Sequence, residues 1–155
     1  HVSVDMRGPI CRCGRRGCLE VYAGRRSMVS AAGIASSDAA ATHESINELI
    51  DHWRQRDSKA VAVVEKALEA MASVIASIIN VCDIDTVMLG GLWAHFEPDL
   101  IRRIGRMVRP QALSYPEVQA RVMMADVVAR PALIGAAEVG LRNFVDNPLE
   151  FLERE

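Results

Sequence analysis

Three cysteines and a histidine stand within the first eighteen residues, as His1, Cys11, Cys13 and Cys18 in the array H-x9-C-x-C-x4-C. Three thiolates and one imidazole are the donor set of a closed, tetrahedral structural zinc site, with no coordination position left for chemistry. The residues between the ligands suit that geometry. Gly8-Pro9 can turn the chain back from His1 toward the thiols. Gly14 and Gly17 flank Arg15-Arg16 inside the Cys13–Cys18 loop, where a tight ligand loop needs positive φ or close backbone approach. The plainer alternative is a chance cluster of buried or disulfide-bonded cysteines. Cys11 and Cys13 are too close in sequence for an easy mutual disulfide, and no signal-peptide pattern points to secretion. A zinc loop over residues 1–18 is therefore the first expectation, with thiols organised for metal pointing to a reducing cytoplasm.

The rest of the chain reads as a helix-rich α/β fold. A helix is expected from Leu19 to about Ala32, then a loop from Ala35 to Thr42, then a helix from about Glu44 to Arg56 with Ile46, Leu49, Ile50 and Trp53 on one face. Asp57-Ser58 breaks the pattern and offers an N-cap. Val61, Val64, Leu68, Met71, Ile75, Ile78 and Cys82 then alternate spacings of three and four. This helix is expected to be half exposed at its start and nearly all buried at its end, with Cys82 a plain core thiol. Together these helices make a region over 19–82.

Residues 83–145 read as a βαβα unit. Asp85 to Gly91 (DTVMLGG) has the form of a buried parallel strand feeding a tight loop, and a helix follows from Pro98 to about Arg109-Pro110. Val118 to Met124 alternates as a second strand, and a last helix starts around Pro131. A two-stranded parallel pair leaves strand edges open, so further strands are expected upstream of His1. Half of the residues are apolar and the net charge is −2, which gives no general reason to expect nucleic-acid binding. No apolar run is long enough to span a bilayer. His43, His52 and His95 show no ligand spacing and are expected in loops or on exposed helix faces, while Trp53 and Trp93 are expected to pack in the core.

The first 24 residues, HVSVDMRGPICRCGRRGCLEVYAG, resemble the zinc-binding signature of the ROK family (repressors, open reading frames and sugar kinases). That signature has a histidine, an Asp-x-x-Gly-Pro turn and then C-x-C-G-x-x-G-C-x-E, matched here by His1, Asp5 to Pro9, and Cys11 to Glu20. The resemblance continues loosely through DTVMLGGL and PALIGAAEVGL. It implies the C-terminal part of an actin-like ATPase (ribonuclease H-like) lobe that pairs into a homodimer. It also implies that His1 lies well inside a longer polypeptide, after an N-terminal lobe.

Carried over residue by residue, the resemblance makes Glu20 an acceptor for sugar hydroxyls and places His1 beside the sugar as well as on the zinc. Without it, Glu20 is equally well an exposed charge in the first turn of a helix, where the dipole favours a carboxylate. Gly90 and Gly91 after the first strand suggest the remnant of a nucleotide loop, although a lone Gly-Gly is usually a turn. Two departures from the kinase members count against nucleotide use: Leu92 and Trp93 follow the glycine pair, and Arg130-Pro131 replaces Ala-Gly before the last helix, so that a side chain at Leu92 and a ring at Pro131 would both narrow the approach. Arg7, Arg12, Arg15, Arg16, Arg25 and Arg26 make the N-terminal segment basic, read here as a solvated rim that partly offsets the thiolates.

The reading favoured is a domain sensing a sugar or phosphosugar in a ROK transcriptional regulator. DNA would be bound only by a further N-terminal domain, and no residue of this chain is assigned a catalytic role. The alternative is the C-terminal part of an ATP-dependent ROK sugar kinase, its catalytic base supplied by the other lobe. A free-standing zinc-binding interaction module is the third.

Overall fold

The computed structural model describes residues 1–35, 42–117, 119–126 and 131–148. Their elements run α1 (Leu19–Ala23), α2 (Arg25–Ala31), α3 (His43–Arg54), α4 (Ser58–Cys82), β1 (Thr86–Leu89), α5 (Pro98–Val108), β2 (Arg121–Met124) and α6 (Pro131–Asp146), with 3-10 turns at Gly91–His95 and Arg109–Gln111. Residues 1–124 form one compact unit and residues 125–155 a second. The result is the expected helix-rich α/β fold. Strands β1 and β2 pair in parallel, Thr86 opposite Arg121 and Leu89 opposite Met124, joined through α5.

Local chemistry explains where the helices begin. The Thr42 hydroxyl accepts the Ser45 amide at 3.2 Å and starts α3. The Asp57 carboxylate accepts the Ala60 amide at 2.9 Å and starts α4, as Asp57-Ser58 led us to expect. Pro98 opens α5, where its missing amide hydrogen costs nothing. The core is built on α4, whose Val64, Leu68, Met71 and Ile75 are buried against Ile46, Leu49 and Ile50 of α3 and Ile101, Ile104 and Val108 of α5. The α4–α5 packing also carries the Arg103–Glu65 ion pair, and Arg54 of α3 reaches Glu97 beside the start of α5 at 2.6 Å. Both pairs are more than a third exposed, so each adds at most about 1 kcal/mol.

Several expectations change on contact with the structure. The helix read from Leu19 to Ala32 is two helices meeting at Gly24, whose extended backbone (φ −75°, ψ 143°) breaks the ladder. The end of α4 is not buried: Ile78, Val81 and Cys82 are exposed, and the fully packed stretch is its middle. Cys82 is thus no core thiol. Apolar spacing records which residues share a face, but a face is buried only where another element lies on it, and α3 and α5 pack on the middle of α4. At its last turn Asn80 instead holds the 111–113 segment, donating to the Gln111 carbonyl at 3.0 Å and accepting the Leu113 amide at 2.8 Å.

The second strand starts at Arg121, not Val118, which lies outside the described residues, as do residues 36–41 of the expected loop. Trp93 is buried, stacked on Phe96 at 5.6 Å, and half-buried Trp53 meets Phe96 edge-on at 5.5 Å. Both tryptophans therefore pack with the core, and they pin the 3-10 turn after β1 to α3. His43 and His95, distant in sequence, meet edge-on at 5.8 Å. Among the described residues no helix is long and apolar enough to cross a membrane.

Candidate metal centre and the cavity beside it

The four ligands expected from the sequence do converge. One donor atom from each of His1, Cys11, Cys13 and Cys18 lies within 4.8 Å of every other. The His1 Nδ1 is 3.5 Å from the Cys11 sulfur, and the Cys13 and Cys18 sulfurs are 3.6 Å apart. Sulfur and imidazole donors gathered at this spacing could hold a metal ion. His1 turns Nδ1 to the cluster, so Nε2 is left for a second contact.

The loop around the cluster is closed by backbone. The Cys11 amide donates to the Arg15 carbonyl at 2.7 Å, the Gly17 amide to Pro9 at 2.8 Å, and the Val4 amide to Gly17 at 2.7 Å. Gly17 has φ +59°, and a Cβ there would overlap the Asp5 carbonyl, so only glycine satisfies both the turn and the contact. Behind the loop the Tyr22 hydroxyl lies under Gly8, its proton held more tightly than usual because the site is desolvated and the Asp5 carboxylate is close. Lys66 of α4 sits over the Tyr22 ring at 5.2 Å, which ties α1 to α4.

The thiols differ in acidity. A hydrogen bond from the Arg15 backbone holds Cys13 below its ordinary value, whereas burial, then the neighbouring thiols, push Cys18 up to about 11. Binding a metal requires Cys18 as thiolate, so its proton must be released when metal enters. Apparent metal affinity should therefore rise with pH across the neutral range. Competition titrations against a chromophoric chelator at pH 6.5 and 8.0 check this, and an affinity that falls with pH would contradict the assignment.

Glu20 lies in the first turn of α1, two residues past Cys18, where it lines a cavity of about 610 Å³ with Cys11, Arg12, Arg26, Ser27 and Ser30. The carboxylate folds back over Gly24, and a Cβ at Gly24 would overlap both it and the Glu20 carbonyl. The break between α1 and α2 therefore makes room for Glu20, a role the sequence reading missed; its signal was a lone glycine inside a helical pattern. Arg12 and Arg26 also fall beside Glu20 rather than on a uniform rim. His1 is not among the residues lining this cavity.

The glycine pair lies elsewhere. Gly90 is extended, Gly91 has φ +59°, and among the described residues nothing lies within 4 Å of the position a Cβ would take on Gly91. Leu92, expected to narrow this approach, instead turns its side chain into the core beside Trp93. The helix after Arg130 does start at Pro131, whose side chain is outside the described residues.

Comparison with known proteins follows the same lines. The model of the ROK family matches residues 1–142. The chain belongs to the ROK family. N-acetylmannosamine kinases of Haemophilus influenzae are 36% identical to it over 93 residues, 59% of this chain and 29% of theirs. That of Pasteurella multocida is 32% identical over 91 residues, with the same coverage. Among solved structures, the ROK hexokinase of Thermus thermophilus superposes with a TM-score of 0.70 at 25% identity, over 88% of this chain and 44% of that one. A ROK transcriptional regulator, homologous to the E. coli MLC protein, gives a TM-score of 0.62 over 80% of this chain and 33% of that one. Its identity is 24%, so it speaks to the fold alone. The chain thus spans less than a third of the kinases' length and less than half of either solved neighbour's. Kinases thus stand among its relatives in sequence, and a regulator among the structures that share its fold.

Proposed function

We propose that this chain is the sugar-sensing part of a ROK transcriptional regulator, in which one structural zinc ion held by His1, Cys11, Cys13 and Cys18 orders the sugar-contact loop. The observation that carries the sugar reading is the Glu20 carboxylate, set two residues past a metal ligand at the edge of a 610 Å³ cavity. Bound zinc supplies cross-linking only, since four protein donors complete its shell. Glu20 accepts hydrogen bonds from sugar hydroxyls, and His1 offers Nε2 to the same ligand where the other lobe closes over it. Sugar or phosphosugar binding then shifts the balance between lobe arrangements of a homodimer, and DNA affinity with it, through a separate N-terminal domain. The regulator is preferred because the loop after β1 is pinned by Trp93 and Phe96 and the last helix starts at Pro131.

A second reading has an observation of its own. The open space at Gly91 would admit a nucleotide, and relatives at 36% identity are N-acetylmannosamine kinases. Under that reading the same Glu20 positions a hexose or N-acylhexosamine for phosphorylation by ATP, with Gly90 and Gly91 against the nucleotide.

The test is made on the full-length protein. Glu20→Gln should raise the sugar dissociation constant about 10- to 100-fold, the loss of one or two hydrogen bonds to a charged acceptor at about 1.5–3 kcal/mol. Metal content should be unchanged. Unaltered calorimetric sugar binding would remove Glu20 from the site. Sugar-dependent operator binding without ATP turnover supports the regulator, and sugar-dependent ADP release supports the kinase.

A further inference from the structure

A second concave site lies away from the metal loop, between α5 and β2. Arg102, Arg106 and Arg109 occupy positions i, i+4 and i+7 of α5 and the turn after it, so they share one face of the helix. Arg121 faces them from the start of β2. With Gly105, Val122 and Met123 the four arginines line a recess of about 380 Å³. Gly105 faces Val122 across the floor of the recess, where a Cβ would stand 3.8 Å from the valine, an ordinary contact distance. Neither Glu20 nor the Gly90–Gly91 loop lines this recess.

The charge there is under-compensated. Arg102 pairs with Asp99, and Arg121 stands 3.7 Å from Asp85. Arg109 is half-buried and, among the described residues, spends only its Nε, in a long contact of 3.5 Å with the Ala120 carbonyl. Arg106 has no acidic partner among the described residues. Arg103, the remaining arginine of α5, points away to Glu65. Four arginines thus line one recess against two carboxylates, and like charges at helical spacing destabilise the helix unless an anion answers them. Guanidinium forks match phosphate oxygens bidentately.

We infer that this recess binds the phosphate group of a small phosphate ester. Its volume falls at the low end of the range for small-molecule sites, about 300–1,000 Å³. The arginines come from two elements around an apolar floor of Val122 and Met123, a shape suited to one phosphate with a compact organic body. A nucleic-acid backbone would need an extended basic track, and the chain carries a net charge of −2. The inference is independent of the sugar reading, because it shares no residue with the Glu20 cavity.

Isothermal titration of the zinc-loaded protein with ribose 5-phosphate, ribose, inorganic phosphate and a short DNA duplex tests it. The expected result is one ribose 5-phosphate site per chain, weaker binding of inorganic phosphate and none of ribose. Arg106→Gln with Arg109→Gln should weaken that site at least tenfold, while Arg12→Gln with Arg26→Gln leaves it unchanged. The single Arg106→Gln variant, altering an exposed and unpaired side chain, keeps the test valid if the double variant misfolds. The inference is overturned if ribose 5-phosphate does not bind at millimolar concentration. It is equally overturned if binding survives loss of Arg106 but not of Arg12 and Arg26, or if only the duplex binds, which would make this face a nucleic-acid surface.

Discussion

Cys13→Ser protein is expected to purify almost free of zinc and to lose protection of its first twenty backbone amides, while α4 stays folded. The reason is that the metal loop has little core of its own. Val2, Met6 and Ile10 are 52%, 86% and 67% exposed, and within residues 1–18 the buried apolar side chains are the ligands Cys11 and Cys18 themselves. What holds the segment is the set of turn hydrogen bonds together with the metal of the proposed assignment, and structural zinc contributes on the order of 10 kcal/mol to such a loop. Cys13 is the ligand to change because it is exposed, so serine there removes a donor without opening a core cavity. Metal analysis and hydrogen exchange read the two effects separately. Stoichiometric zinc in the variant would show that Cys13 is not a ligand.

The second large effect belongs to the other end of the architecture. Leu68 is fully buried at the middle of α4, in the cluster that α3 and α5 share. Leu68→Ala should cost about 2–5 kcal/mol, from lost transfer energy and the cavity left behind. For a unit of this size that lowers the melting temperature by roughly 10 °C. Leu113→Ala, at an 84% exposed position, should change stability by less than about 0.5 kcal/mol. Thermal unfolding followed by circular dichroism compares the two. Equal effects would mean that α4 does not centre the core.

Particular residues show how far sequence reasoning reached. The gathering of His1, Cys11, Cys13 and Cys18 was legible because it is local: His1 to Cys18 is a short segment whose glycines and side-chain types can be read together. The stripe on α4 was legible because spacing of three and four survives any tertiary context. Gly24 was not, since its meaning lies in where the Glu20 carboxylate folds. Leu92 was read as an obstacle at the glycine pair, and the 3-10 turn carries it into the core instead. Cys82 was read as buried because it continues a stripe, but it lies beyond the part of α4 on which α3 and α5 pack.

The amino-acid sequence by itself determined the family, the helix-rich α/β class, the parallel β1–α5–β2 unit and the four side chains that gather in the His/Cys cluster. The family follows from the resemblance carried by the first 24 residues, and the others from periodicity, capping or ligand spacing within a short stretch of chain. Only the tertiary structure decided that Glu20 shares a cavity with Arg12 and Arg26, that the end of α4 stays exposed, and that Arg121 closes a recess with three arginines of the α5 segment. Those facts depend on segments far apart in sequence meeting at one place. Burial and charge compensation are properties of that meeting, not of the residues taken singly.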